Sequence, residues 1–418
     1  MKKIAEYING KLIVLLCTVV LISCEDENGV GLEEPDGPPV ISYVRVTDPD
    51  QSDSLLVRAN LGSEVVIMGS NLGGTRHIWF NDQEAIISPT WVTNHSIVVQ
   101  VPSNAPNVVT NILYLIDDRS DTLEHPFEVS ISAPEIQAAV NEWPQSGENL
   151  VVTGNFFFEP VTITYSGGVT GELVSVSQER IEFTVPGEAT EGPVTISTNF
   201  GETVSGFHLW DSRNIILDFD DLQPNGWRIG APETGDGEIN GNYNVFRGNI
   251  GANVRDEGPG APANSPMLFH YWGGDDPGRT GNFYPDYSGA YRDHVLKFEA
   301  KVNKWFGGYL NICFSTPDHS QNNQEIWTNN LNARAIWGPW AEENAEFDTD
   351  GGWMTVVIPL TDFQYFMEHD DDQGVFYEDG QAFVEAAAGS LSMWLLGSPE
   401  NSDNEVEFYV DNIRIVEP

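Results

Sequence analysis

Large aromatic rings sit beside Gly or Pro at three places late in the chain. These are Phe269-His270-Tyr271-Trp272-Gly273-Gly274, Asn303-Lys304-Trp305-Phe306-Gly307-Gly308-Tyr309 and Arg334-Ala335-Ile336-Trp337-Gly338-Pro339-Trp340. Gly and Pro mark loops and strand ends, so these rings are expected at the surface, as flat apolar faces. A flat ring of this kind stacks. Sugars are suited to it, because their C–H faces are apolar while their hydroxyls need donors and acceptors around the edge. Asn, Asp and Gln lie between the rings and could serve that edge. The candidate stacking set is Trp272, Trp305, Trp337 and Trp340, with Tyr271 and Tyr309. The competing reading is that the same rings fill the core of a large sandwich. Trp227, Trp353 and Trp394 lie inside regular apolar patterns and are expected in the core, as is Trp79 in Arg76-His77-Ile78-Trp79-Phe80.

Signals for catalysis are weak by comparison. The chain has 63 acidic residues, so accidental carboxylate pairs are guaranteed and a pair alone does not argue for a glycosidase. The Glu-x-Asp-x-x-Glu strand pattern of jelly-roll endoglucanases is absent; Glu346-Phe347-Asp348 begins it, then runs into Gly351-Gly352. No cluster of Tyr with basic residues suggests a polysaccharide lyase. Formal net charge is −44, and beyond residue 23 the only lysines are Lys297, Lys301 and Lys304. Such a surface repels phosphate backbones, which argues against nucleic acid. It also disfavours polyanionic glycans unless cations bridge them, leaving neutral or weakly charged ones.

Lys2, Lys3 and Lys11 precede the apolar run Leu12 to Ile22, which ends in Leu21-Ile22-Ser23-Cys24. A basic start, a short apolar middle and a small residue before a Cys make a secretory leader, too short to span a bilayer as a helix. The Cys resembles that of a lipobox, which implies a leader over 1–23 and lipid on Cys24. Glu25-Asp26-Glu27-Asn28-Gly29 resembles the tag that sends lipoproteins to the outer face of the outer membrane. Residues 24–38 read as an acidic, solvated tether. With Cys17 in the leader and Cys24 lipidated, Cys313 is left alone, and no internal disulfide is expected. Its setting, Leu310-Asn311-Ile312-Cys313-Phe314, reads as a buried strand.

From residue 39 onward short β-branched and aromatic runs alternate with Gly, Pro, Asn and Asp, which predicts an all-β chain. An internal repeat divides its first part. Gly62-Ser63-Glu64-Val65-Val66-Ile67-Met68-Gly69-Ser70-Asn71 matches Gly147-Glu148-Asn149-Leu150-Val151-Val152-Thr153-Gly154-Asn155, and Ile97-Val98-Val99-Gln100-Val101-Pro102 matches Ile181-Glu182-Phe183-Thr184-Val185-Pro186. Each unit has the size of an immunoglobulin-like sandwich and resembles the IPT/TIG modules, which lack the antibody Cys pair. These are assigned to 39–130 and 131–210, and expected to be spacers that bind no glycan. Residues 211–418 carry strand patterns at Val295–Val302, Trp353–Leu360, Leu391–Leu396 and Val406–Ile415 and are expected to form a β-sandwich jelly roll.

Leader, tandem IPT/TIG modules and a Trp-rich last sandwich together resemble the cell-surface glycan-binding proteins of polysaccharide utilisation loci. Within them, Trp337-Gly-Pro-Trp340 and Asp350-Gly-Gly-Trp353-Met-Thr-Val-Val-Ile-Pro-Leu-Thr-Asp-Phe363 resemble the group with a xyloglucan-binding-type C-terminal domain. The resemblance implies a non-enzymatic protein that captures a β-linked polysaccharide on an aromatic platform and holds it for an outer-membrane transporter. Jelly-roll carbohydrate modules also hold calcium between their first and last strands, which here would recruit Asp218, Asp220 and Asp411. A glycan-active enzyme and a structural or adhesive surface protein are the alternatives.

Overall fold

The computed structural model describes residues 35–224, 229–235, 239–249, 268–272, 290–315, 334–367, 374–376, 390–396 and 405–417. The elements among them are β-strands and short 3-10 turns, with no α-helix. The chain falls into two compact units, one ending at Ile131 and one beginning at Ser132.

The first unit is a sandwich. Val40–Val46, Glu64–Ser70 and Ser96–Gln100 form one antiparallel sheet; Gln83–Ala85, Thr75–Phe80, Ile112–Asp117 and Thr122–Pro126 form the other. Alternate residues point inward, so Val65, Ile67, Ile97, Val99, Ile78, Phe80, Leu113 and Leu115 close the core. Trp79 stands between Ile78 and Phe80 and is therefore directed to the opposite face, half-buried, which corrects its expected place in the core.

The second unit begins with a sandwich of the same build. Asn149–Asn155 pairs with Arg180–Thr184 as Glu64–Ser70 pairs with Ser96–Gln100. The glycine shared by the two repeats has a steric reason. At Gly69 and at Gly154 the first strand of each sandwich crosses at a β-bulge, and a Cβ would collide with the carbonyl oxygen of Val40 or Glu135.

The C-terminal sandwich completes this unit. One sheet runs Pro232–Glu233, Tyr243–Asn249, Glu405–Val416, Val295–Lys304, Met354–Pro359, with Ile215–Leu217 also on the long closing strand. The other runs Leu268–Trp272, Ser390–Leu396, Tyr309–Ser315, Arg334–Trp337, Tyr365–Met367, Gly374–Phe376. Leu296, Phe298, Ala300 and Val302 face Leu310, Ile312, Phe314, Leu391, Met393 and Leu395 across the core.

Ionic side chains buried on the outer side of the first of these sheets tie the two sandwiches of this unit together. Glu142, from the Ig-like sandwich, meets Lys297 Nζ at 2.8 Å through one oxygen and Arg414 Nη2 at 2.8 Å through the other. Arg414 also donates to both oxygens of Glu299, at 2.8 and 3.0 Å. The Glu142 amide donates to Thr355 Oγ1 and the Thr355 amide to the Val140 carbonyl, both at 2.8 Å. Burial raises the Glu299 carboxyl to about 7 against the pull of Arg414. Burial disfavours the Arg414 charge, but Glu299 and Glu142 hold it above the usual arginine range. Removing one member of such a set leaves the others buried and uncompensated. Glu142→Gln is expected to lower the stability of this unit by about 3–5 kcal/mol, read as an earlier denaturant midpoint of the full chain.

Candidate functional site

Trp305 follows the Val295–Lys304 strand and turns inward. Its ring stacks on Phe408 at 4.3 Å and 3°, its backbone bridges to Phe347, and its exposure is 0%. Its indole donates to the Gly307 carbonyl at 2.9 Å, and the Trp340 indole donates to the Gly308 carbonyl at 2.7 Å. The two glycines, with φ of 88° and 68°, make a turn whose carbonyls accept from both indoles. Gly beside Trp therefore marks, here, a tight turn that satisfies inward-facing indoles. This corrects the expectation that Trp305 and Trp340 present flat faces: the first is core and the second is 7% exposed. Tyr271 is also buried, pointing into the sandwich from Leu268–Trp272. Trp272 pairs through its backbone with Ser390, and its side chain lies outside the described residues, as does Trp227.

Two rings of the expected set reach the surface. Tyr309 is 36% exposed, with its ring 5.3 Å from Trp340 and tilted by 45°. Its position depends on Gly338, where a Cβ would press on the Tyr309 ring. Trp337 is half-buried, edge-on to Trp305 at 5.1 Å and to Phe298 at 5.4 Å. Phe306, also half-buried, meets Trp340 edge-on at 5.4 Å. Beside Trp337 runs a groove of about 400 Å³, lined by Ile336, Val357, Asp362 and Gln364 among others. Burial raises the Asp362 carboxyl, partly offset by Thr361. A ring, apolar walls, one acid and one amide form a surface able to stack a sugar and bond its hydroxyls.

The sequence missed other arrangements. Trp353, expected in the core, is half-buried beside Tyr243 and Tyr409, at 5.9 and 6.3 Å, in an aromatic cluster separate from the main core. Trp394 is fully buried as expected, and Arg334 lies over its ring at 5.0 Å. His270 bonds Ser392 across neighbouring strands, and both are buried. These polar residues alternate with Leu391, Met393 and Leu395, the signal that places them on the face opposite the core. Cys313 is buried and its thiol is pushed up to about 11 by desolvation, as an inert strand residue should be. Cys24 lies outside the described residues.

The three aspartates of the calcium expectation accept hydrogen bonds from neighbouring groups. Asp218 Oδ1 accepts from the amides of Asp220 and Leu222, and Asp220 Oδ1 from Asn242. Asp411 Oδ1 accepts from the Asn412 amide, while its Oδ2 is buried with no hydrogen-bond partner among the described residues. Among those residues no three His, Cys, Asp or Glu side chains are grouped so as to hold a metal. Desolvation raises the Asp411 carboxyl well above its usual range, with Glu299, Asp220 and Asp218 adding to the effect.

An antiparallel two-sheet sandwich with an exposed Tyr309 and a half-buried Trp337 on a groove, preceded by Ig-like modules, is a build that suits carbohydrate binding. Residues 209–417, half of the chain, match the family described as "Surface glycan-binding protein B xyloglucan binding domain", and the chain belongs to that family. The crystal structure of the surface glycan-binding protein PbSGBP-B from Prevotella bryantii is similar, with 28% identity and a TM-score of 0.68, covering 92% of this chain and 99% of that one. An IPT/TIG domain-containing protein of Bacteroides ovatus is 31% identical over 169 residues, 38% of this chain; the match spans about a third of that relative's length (33%).

Two outcomes follow from this geometry. Trp305→Ala is expected to cost about 3–5 kcal/mol of stability, as for a large core ring, whereas Tyr309→Ala leaves the thermal midpoint near wild type; denaturation of both variants checks the contrast. A carboxyl raised on folding binds its proton more tightly in the folded chain, so its contribution to stability falls as pH rises through the interval. In metal-free protein Asp411→Asn therefore raises the thermal midpoint at pH 7. A calcium ion held there reverses the sign: the same substitution, or EDTA added to wild type, then lowers it.

Proposed function

We propose that this protein captures a neutral, β-linked glycan of the xyloglucan class at the cell surface, through the end of the C-terminal sandwich that carries Tyr309 and Trp337. The observation that carries the reading is one of coincidence: the family match spans residues 209–417, the same sandwich that exposes Tyr309 and sets Trp337 on a groove. The net charge of −44 favours an uncharged ligand. Among the described residues the groove's lining carries one carboxyl, that of Asp362, where glycoside hydrolysis takes two, and this supports binding without hydrolysis. Each ring contributes about 0.5–1.5 kcal/mol beyond area burial, so several subsites in line are needed for useful affinity. Lipid on Cys24 anchors the chain to the outer face of the outer membrane, where the captured glycan is held for an outer-membrane transporter. The leader-like run ending in Ser23-Cys24 and the acids that follow support this placement.

The test is affinity electrophoresis of the leaderless chain in gels containing xyloglucan, mixed-linkage β-glucan or polygalacturonate. Retardation by a neutral glucan and not by the polyuronate is expected, and Tyr309→Ala and Trp337→Ala each weaken it by about two- to tenfold. No retardation in either neutral gel would sink the reading. Cys24→Ala should move the protein from the membrane to the soluble fraction; retention with the outer membrane removes the anchoring claim.

A further inference from the structure

The second unit contains a further concavity, lined by residues other than those of the Trp337 groove. It is a cleft of about 490 Å³ between the Ig-like sandwich and the C-terminal sandwich. Trp143, Gln145, Glu148 and Asn149 line it from one side, Lys301 and Trp353 from the other. Both walls are fixed. The ionic tie of Glu142 to Lys297 and Arg414 lies next in sequence to Trp143, and the Arg414 guanidinium sits 6.0 Å over the Trp143 ring. The Thr355 amide bonds Val140, which also lines the cleft, and the Gln145 side-chain amide donates across to the Ile239 carbonyl. A site whose walls are already in place loses little on ordering when a ligand enters.

The lining has the chemistry of a sugar site. Trp353 is half-buried and backed edge-on by Tyr243 at 5.9 Å, so its orientation is set. Lys301 holds its ammonium 5.9 Å over the Tyr409 ring that also supports Trp353. The Gln145 side-chain amide, the Glu148 carboxylate and the Lys301 ammonium supply donors and acceptors of both kinds, while the Asn149 side chain is engaged with Glu182 and Thr184. In a chain of net charge −44, the charged residues lining the cleft among the described residues are one acid and one base. That balance suits an uncharged ligand. The rim is open at Gly147 and Gly351, where a Cβ would meet nothing within 4 Å. The volume falls in the range of ligand sites, which favour domain interfaces.

We infer that this cleft is a second glycan subsite, taking a short run of neutral sugar units, with Trp353 as its stacking ring and the Ig-like sandwich as one of its walls. The Ig-like module is then part of the binding machinery and not only a spacer. The inference rests on the reading that this chain binds a neutral β-linked glycan, but it assigns different residues from those around Tyr309.

The experiment uses the full leaderless chain with xyloglucan polymer and a xyloglucan-derived oligosaccharide as probes. Calorimetry measures binding to wild type, Trp353→Ala, Gly352→Trp, Tyr309→Ala and Trp337→Ala, and amide hydrogen exchange is followed with and without the oligosaccharide. Gly352 tolerates a side chain, since its Cβ would meet only the Thr349 carbonyl at 3.5 Å, so Gly352→Trp adds bulk in the cleft's lining while Trp353 is kept. Trp353→Ala and Gly352→Trp should each weaken polymer binding by about two- to tenfold. The oligosaccharide should slow exchange at 145–149 and 351–353, and still do so in Tyr309→Ala. If Trp353→Ala unfolds early, Gly352→Trp and the exchange data decide. Wild-type affinity in Gly352→Trp, with no slowing at either segment, overturns the cleft while leaving the Tyr309 surface standing. Normal binding in Tyr309→Ala and Trp337→Ala with loss in Gly352→Trp does the reverse. Failure of wild type to bind either probe overturns both.

Discussion

The geometry of the second unit depends on a carboxylate, that of Glu142, buried between two cations. Bringing Glu142, Lys297, Glu299 and Arg414 out of water is costly, and their mutual attraction does little more than offset that cost. The set is better understood through what it excludes. A rotation or slide of one sandwich on the other would leave a buried Lys or Arg facing apolar surface. The four formal charges sum to zero, the Thr355 hydroxyl accepts from the Glu142 backbone amide and donates to Glu299 Oε1, and the bonded atoms stand 2.8–3.1 Å apart. Such a network favours one register over its neighbours, a role attested for buried polar groups in other folds.

That register explains why the second and third sandwiches behave as one compact unit although the repeat in the sequence joins the second to the first. Gly69 and Gly154 occupy equivalent crossings, and the strand alternation of Val65-Val66-Ile67 recurs in Leu150-Val151-Val152. Sequence similarity reports a shared internal core. It does not report which outer faces meet, because those contacts are made by single polar residues such as Glu142, with no periodic pattern around them.

The same distinction separates the legible parts of the site from the rest. The all-β class and the repeated crossing glycine could be read from alternation and turn residues, because period-2 patterning acts on every residue of a strand, and the apolar runs around Cys313 and Trp394 marked both as buried. Trp305 and Trp340 could not. Gly307 and Gly308 signal a turn in the sequence, but not that their carbonyls accept from two indoles and draw both rings inward. Trp353 failed in the opposite direction. It abuts the apolar run Met354–Pro359 and so resembles a core residue, yet it precedes the strand and packs on Tyr243 and Tyr409 instead. Ring type and local composition carry little information about which side of a sheet a terminal aromatic takes; that is decided by the partner waiting on each side.

A weak contact repeated is the physical problem a glycan-binding surface must solve. One exposed ring such as Tyr309 contributes little, and a polysaccharide offers the same unit many times. Two separated contact regions on one rigid body turn the second contact into an intramolecular event whose effective concentration is set by fixed geometry. Rigidity matters more than the strength of either contact, because a hinge between the regions would return the gain as ordering entropy. The buried Glu142 tie, which gives little net stability, removes that hinge between the Ig-like module and the sandwich. With the cleft binding as inferred, the energetic role of the tie and multivalent capture would be one constraint, met by a residue that lines neither the cleft nor the Trp337 groove.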